Sequence, residues 1–254
     1  MRVVIDVHCH LTDDSFINDL EEVIVRAKRA GVICIITSVI RAREIPRAEE
    51  IVGKYRGYVY LSVGCDPTVF DYREIEELMS YVERKLPEVI AIGEVGLDYF
   101  LVRDHILREV QKSNFIKWIE LANRVDRPLV IHSRSAGKYA IEILMGRAKV
   151  PVVMHAYDGG VSHAEKAAEK GFYFSIPPTV VTSDQKQKLV KVLPLENLLL
   201  ESDAPVLSPK RGVRNEPANI AIAVRKIAEI KGVGVEKVIE VTTENAKRIF
   251  RLRL

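Results

Sequence analysis

Val3-Val4-Ile5-Asp6-Val7-His8-Cys9-His10 is a β-like run that ends in two histidines, one residue apart. Its Val and Ile content is that of a strand covered on both faces, as in a parallel sheet packed by helices. The same grammar recurs down the chain. Val89-Ile90-Ala91-Ile92-Gly93 ends in Glu94, Pro128-Leu129-Val130-Ile131 in His132, Pro151-Val152-Val153-Met154 in His155, and Leu198-Leu199-Leu200-Glu201-Ser202 in Asp203. Helix-like stretches follow these runs. In one of them Leu20, Val23, Ile24 and Ala27 recur at helical spacing, and Gly31 ends the pattern. Strands are expected over 3–8, 32–38, 58–64, 89–94, 128–132, 151–155, 172–176 and 198–203. Helices are expected over 18–30, 42–53, 72–85, 105–126, 135–147, 161–170, 183–192 and 217–231, with further helical sequence over 235–251.

Strand–helix units repeated without a break in composition imply one domain over 1–254, an α/β (β/α)8 TIM barrel. The extra C-terminal helical segment reads as a packing element. A doubly wound open sheet is the alternative, but it gathers a site at one switch point from neighbouring strands. Here ligand-type residues close strands spread over the whole chain, and a closed barrel brings all such ends to one rim, where that fold places its active sites.

The 254 residues match the usual length of such a barrel and suffice to bury a large core. The first strand-like run begins at residue 3, so no signal peptide is expected. No apolar run approaches the roughly 20 residues of a membrane-spanning helix. Cys9, Cys34 and Cys65 are odd in number and sit in or beside buried strand patterns, so reduced thiols and a cytoplasmic location are expected rather than a disulfide framework. A net charge of +3 permits an anionic partner without requiring one.

His8, His10, Glu94, His132, His155 and Asp203 together make a donor set suited to divalent ions such as Mg, Mn or Zn. Two ions are expected, sharing Glu94, because a carboxylate can bridge through its two oxygens. Residues two apart on a strand face the same side, roughly 6.6 Å apart. His8 and His10 can therefore converge on one ion while Cys9 points away. Asp6 shares their parity and is expected deeper in the lumen, as an orienting residue or a distant ligand. Each residue alone has an ordinary reading: core or surface histidine, ion-pair partner, helix cap. Their common position at strand ends is what points to a metal centre. Gly93 and Gly96 flank Glu94 and allow a close backbone approach. His105 and His163 lie at helix starts and read as exposed or capping residues.

Such a centre suits hydrolysis by a metal-bound hydroxide, with Asp203 orienting the water and accepting its proton and Glu94 bridging the ions. Arg134, at the parity of His132, is a candidate phosphate contact. Lys210, Arg211 and Arg214 form a basic loop after the last strand, where barrels often hold phosphate; solvated surface charge is the plain alternative. Tyr99, Phe100 and Tyr157 are candidates for base stacking or an ordinary hydrophobic rim.

Asp6-Val7-His8-Cys9-His10-Leu11, Gly93-Glu94-Val95-Gly96-Leu97-Asp98-Tyr99, Ile131-His132-Ser133-Arg134, Met154-His155-Ala156-Tyr157, Glu201-Ser202-Asp203-Ala204-Pro205, Arg211-Gly212-Val213-Arg214-Asn215-Glu216-Pro217 and Thr243-Glu244-Asn245-Ala246-Lys247-Arg248-Ile249-Phe250 cover essentially the whole chain. In these segments it resembles the TatD family of metal-dependent deoxyribonucleases, which are amidohydrolase-like TIM barrels. Other amidohydrolases commonly carry a modified lysine on strand four, where this chain has Glu94. The resemblance implies the same six metal ligands and DNA, as single strands or strand ends, as the substrate, with Arg134 and Arg214 the expected substrate contacts from their place on the rim. Two segments depart from the family pattern. Gly64-Cys65-Asp66-Pro67 stands where Gly-x-His-Pro is usual, and Ala156-Tyr157-Asp158-Gly159 where Cys-Phe-Ser-Gly is frequent. Two other functions are compatible with the metal core: hydrolysis of another ester or amide, including aminoacyl-tRNA deacylation, and a metal-containing binding protein with little catalysis.

Overall fold

The computed structural model describes residues 3–254. Its strands are β1 (Val4–Cys9), β2 (Val32–Val39), β3 (Val59–Val63), β4 (Val89–Gly96), β5 (Leu129–His132), β6 (Val152–His155), β7 (Tyr173–Ile176) and β8 (Leu198–Leu200). They form one eight-stranded sheet in sequence order, and each neighbouring pair from β1 to β8 is parallel. The crossovers carry α1 (Leu20–Arg29), α2 (Ile45–Lys54), α3 (Tyr72–Arg84), α4 (His105–Val125), α5 (Gly137–Arg147), α6 (Val161–Glu169) and α7 (Asp184–Val192), and α8 (Ile220–Lys231) and α9 (Val235–Phe250) follow β8. Local chemistry sets several helix starts. Asp71, Asp104 and Ser183 accept from the backbone N–H of Arg73, Leu107 and Lys186, respectively, within the first turns of α3, α4 and α7.

The seam between β8 and β1 makes this a barrel and not an open sheet. β8 ends at Leu200, earlier than expected, yet the chain beyond it continues the pairing. Asp203 N–H donates to His8 O (2.9 Å) and His10 N–H to Ala204 O (2.8 Å). Asp6 locks the seam from below: its carboxylate accepts from Ser202 N (2.9 Å) and Ser202 Oγ (2.6 Å). Asp6 therefore braces the turn that carries Asp203.

Two apolar layers hold the fold. One lies between sheet and helices. The other fills the lumen with Ile5, Val7, Cys34, Ile36, Ala91, Val130, Val153 and Leu199, against which α9 sets Ala246, Ile249 and Phe250. The C-terminal helix is thus a plug for the lower mouth of the barrel, tied by Thr243 Oγ1 to Val3 O and by Asn245 Nδ2 to Leu198 O. No helix among the described residues is long and apolar enough to cross a membrane. Cys9, Cys34 and Cys65 are free and buried.

Register shifts interrupt strict alternation in the β1–β2, β3–β4 and β4–β5 pairs, and two of them serve the upper rim. Along β1, Asp6 pairs with Ile35 and Cys9 with Thr37; along β4, Ile92 pairs with Leu129 and Val95 with Ile131. Each strand has one residue more than its partner, which is a β-bulge. Parity therefore does not carry Asp6 to the histidines' side, a correction to the simple strand reading. The bulge in β4 turns Glu94 into the lumen. Tight backbone contact around it needs glycine: a Cβ on Gly64 would fall 2.2 Å from Glu94 O, and one on Gly96, at φ +146°, 2.0 Å from His132 O.

Candidate metal centre

Four imidazoles surround the Glu94 carboxylate. His8 Nε2 lies 3.0 Å, His155 Nε2 3.5 Å and His10 Nε2 3.9 Å from Oε2, and His132 Nδ1 lies 3.6 Å from Oε1. Asp203 enters from the seam, with Oδ1 3.6 Å from Nε2 of both His8 and His10 and Oδ2 3.8 Å from His155 Nε2. All the candidate ligands read from the sequence therefore meet at one place. Their donor atoms form trios lying within 4.8 Å of one another: His8, His10 and Glu94; His8, His155 and Asp203; Glu94, His132 and His155.

Three of the rings are held from behind. Ser38 Oγ lies 3.1 Å from His8 Nδ1, Asp98 Oδ2 3.0 Å from His132 Nε2, and Glu201 Oε2 2.8 Å from His155 Nδ1. In each case the tethered nitrogen is the outer one, so the inner nitrogen faces Glu94. The carboxylates hold the outer nitrogens of His132 and His155 as N–H donors, so that once the rings are neutral the inner nitrogen would present its lone pair to a metal, the arrangement typical of metal-ligating histidine. Sequence reasoning assigned no role to Ser38, Asp98 or Glu201. The only signal was that Asp98 and Glu201 fall inside the segments that resemble the family.

Left-handed backbone shapes the loops at this rim. Ser135 (φ 56°), Ala156 (φ 39°) and Asp203 (φ 53°) each occur just beyond a strand, a conformation that costs a non-glycine residue about 1–3 kcal/mol.

The electrostatics are those of a packed charge cluster. Burial opposes the charge on Glu94, but His132, His8 and His155 overcome it and hold the carboxyl well below its usual range. Burial also opposes the charge on His155, and Glu201 and Asp203 outweigh it, raising the imidazole to about 10. His10 is raised to about 9 against burial by Asp203 and Glu94, whereas burial and His155 lower His8. Burial pushes Asp6 up to about 8 against its hydrogen bonds from Ser202. His8 Nε2 is buried with no aligned hydrogen-bond partner despite its approach to Glu94. A buried, unpartnered imidazole nitrogen facing two carboxylates is what a divalent cation would complete, so the residues present fit a metal.

The other expected contacts divide. Arg134 is exposed at the rim with its guanidinium 3.9 Å above the Phe100 ring centroid. It lies in the turn after β5 and not on the strand. Arg214, expected as a substrate contact, is instead spent within the fold: it donates to Ser15 O, pairs with Asp19 (2.8 and 2.5 Å) and covers Phe16. Lys210 and Arg211 are exposed. Tyr157 is not a rim aromatic: it is 1% exposed, packs edge-on against Phe174 and donates to Gly160 O. Tyr99 is nearly buried between Arg108 and Tyr139, which leaves Phe100 as the exposed ring of the expected three. Asp66 caps its own turn through Thr68, and Asp158 accepts from Ser135 N (3.1 Å). His105 is exposed in the first turn of α4 and His163 half-buried in the first turn of α6.

The sequence model of the family described as "TatD related DNase" matches residues 5–251. Deoxyribonuclease TATDN3 of Homo sapiens is 38% identical over 258 residues, covering 97% of this chain and 94% of the relative. The uncharacterized metal-dependent hydrolase YabD of Bacillus subtilis is 36% identical over 262 residues, covering 98% of this chain and 100% of the relative. Among solved structures, YJJV, a TatD homolog from Escherichia coli K12, superposes with a TM-score of 0.88 at 27% identity over 98% of each chain.

Proposed function

The chain belongs to the TatD-related DNase family, and from that membership we propose that it is a divalent-metal-dependent deoxyribonuclease, cleaving phosphodiester bonds in single-stranded DNA or at strand ends. One observation carries the reading. Glu94 is ringed by His8, His10, His132 and His155, and His8 Nε2 is left buried and unpartnered.

In this reading His8, His10, Glu94 and Asp203 would hold one cation, and Glu94, His132 and His155 a second. When bound, the two ions (Mg, Mn or Zn) supply Lewis-acid charge and an acidified water. The protein's own groups do the rest. Asp203 Oδ1 and Oδ2 sit among the inner nitrogens of His8, His10 and His155, placed to accept the proton of the attacking water. Ser38, Asp98 and Glu201 keep the rings oriented. Arg134 rests on Phe100 and keeps the N–H edge of its guanidinium for a non-bridging phosphate oxygen.

The test uses end-labelled single-stranded DNA after chelation and readdition of Mn²⁺, Mg²⁺ or Zn²⁺, with metal content measured in parallel. Cleavage is expected only with added metal, with up to two ions per chain, and Glu94→Ala should lose at least one of them. Full two-metal loading of Glu94→Ala would remove its bridging role. If no ion supports DNA cleavage while an aminoacyl ester is hydrolysed, the deacylase reading replaces this one. Loaded metal with neither activity would leave a metal-containing binding protein.

A further inference from the structure

The cluster opens at the rim into a cavity of about 430 Å³: His132, His155 and Asp203 form its inner wall, and Ser133, Arg134, Asp158, Lys186, Val206 and Leu207 extend it away from the ligands. That size lies within the roughly 300–1,000 Å³ typical of small-molecule sites. Two of its groups are buried, lie outside the proposed ligand set and keep unused hydrogen-bonding capacity. Ser133 is 3% exposed, and its hydroxyl has no hydrogen-bond partner. Lys186 is 7% exposed. Its ammonium donates to Ala156 O (2.9 Å) and Tyr157 O (3.3 Å), and no carboxylate pairs with it among the described residues.

An unpaired buried cation is costly, and burial pushes this lysine's pKa down. Its place makes the cost greater. Lys186 is in the first turn of α7, where the helix dipole disfavours positive charge. An ammonium also has three protons, one more than the two carbonyls use. Both buried groups are donors, and an anion would satisfy both.

We propose that this cavity is a subsite for a compact dianion, the terminal phosphate monoester of the substrate strand, with Lys186 and Ser133 at its floor and Arg134 at its mouth. Depth selects the terminal group. An internal phosphodiester continues into a sugar on two sides and stays at the surface. A terminal phosphate has one attachment and three free oxygens, so it can enter far enough to meet donors that are over nine-tenths buried. Asp158 and Asp203 also line the cavity, but Asp158 is turned to the N–H of Ser135 and Asp203 faces His8, His10 and His155 in the cluster. The identity of the strand rests on the nuclease reading; the phosphate chemistry of the subsite does not.

The experiment measures binding of metal-loaded full chain to a hexathymidine with an uncleavable methylphosphonate backbone, carrying a 5′-phosphate, a 3′-phosphate or two hydroxyl ends. One phosphorylated form should bind at least about tenfold tighter than the hydroxyl form, the low end of one charge-assisted hydrogen bond. Ser133→Ala and Lys186→Met should each shrink that difference to about threefold or less, with metal content and hydroxyl-ended affinity unchanged. If Lys186→Met does not fold, Ser133→Ala, which loses almost no packing, carries the test. Equal binding of all three ends overturns the proposal, as does a preference that survives in the folded variants, since the phosphate would then sit on the metals. DNA cleavage without an end preference keeps the nuclease and removes the subsite. Inorganic phosphate binding that both variants lose, in a chain that cuts no DNA, keeps the subsite and removes the nuclease.

Discussion

Replacing Glu201 with glutamine isolates what the outer tether of His155 contributes. Glu201 is fully buried. Its Oε2 accepts from His155 Nδ1 (2.8 Å) and Ser175 Oγ (2.6 Å), and its Oε1 from Ala156 N (2.9 Å). Glutamine keeps the shape but turns one acceptor into a donor. With the amide oxygen toward His155, the new NH2 faces the Ala156 N–H. With the amide reversed, it faces His155 Nδ1 and drives the ring proton to Nε2, the nitrogen that looks at Glu94 and Asp203. Either way a hydrogen bond to a charged group is weakened, about 1.5–3 kcal/mol, and a buried donor goes unsatisfied, about 1–3 kcal/mol. At about 1.4 kcal/mol per tenfold, the first figure corresponds to about 10–100-fold in metal affinity, the usual effect of changing the outer partner of a ligating histidine. Competition against a fluorescent zinc chelator measures the affinity, and guanidinium unfolding of the metal-free protein measures the stability separately. The expected result is metal binding weaker by about tenfold or more and a stability loss of about 1–3 kcal/mol. A folded Glu201→Gln protein that binds metal within about twofold of its parent would refute the reasoning. Packing, and not the carboxylate, would then orient the His155 ring.

Asp203→Asn is nearly isosteric, so folding and metal content should hold while turnover in the DNA assay falls by about 10²-fold or more; near-parental turnover would take Asp203 out of the mechanism. Arg214→Ala should lower stability by about 1 kcal/mol, because it removes a half-exposed pair with Asp19 and the guanidinium that covers Phe16, leaving the salt dependence of DNA binding unchanged. Neutralising Lys210 and Arg211 should instead reduce that salt slope by about 0.7 for each phosphate no longer neutralised; the reverse pattern would return Arg214 to the substrate. None of the cysteines should react with Ellman's reagent at about pH 8 until the chain unfolds, because burial keeps the Cys9 and Cys34 thiols protonated and pushes Cys65 up to about 12. Fast modification of the folded protein would show a more open barrel.

The barrel and its donor set were legible in the chain because both are written in local pattern. Val/Ile runs alternating with helical periodicity mark βα units, and a donor that closes a strand must lie at the rim once the sheet closes. His8, His10, Glu94, His132, His155 and Asp203 needed no knowledge of their neighbours to be found. The orientation of those side chains was a different matter. Register exists only between paired strands, so the extra residues in β1 and β4 that break the parity of Asp6 and turn Glu94 inward could not be read from either strand alone. The ring tethers follow the same rule: Ser38 reaches His8 from β2, Asp98 reaches His132 from beyond β4, and Glu201 reaches His155 from beyond β8. Charge type misled where the partner was distant. Arg214 looked like a phosphate contact until Asp19, 195 positions away in sequence, was found to hold it, and Lys186 drew no notice as one basic residue on a polar helix. Sequence by itself determined which chemical groups reach the rim, because strand period and residue type are properties of short segments. Only the tertiary structure decided which of them face one another, because hydrogen bonds, burial and charge pairing there join residues far apart in the chain.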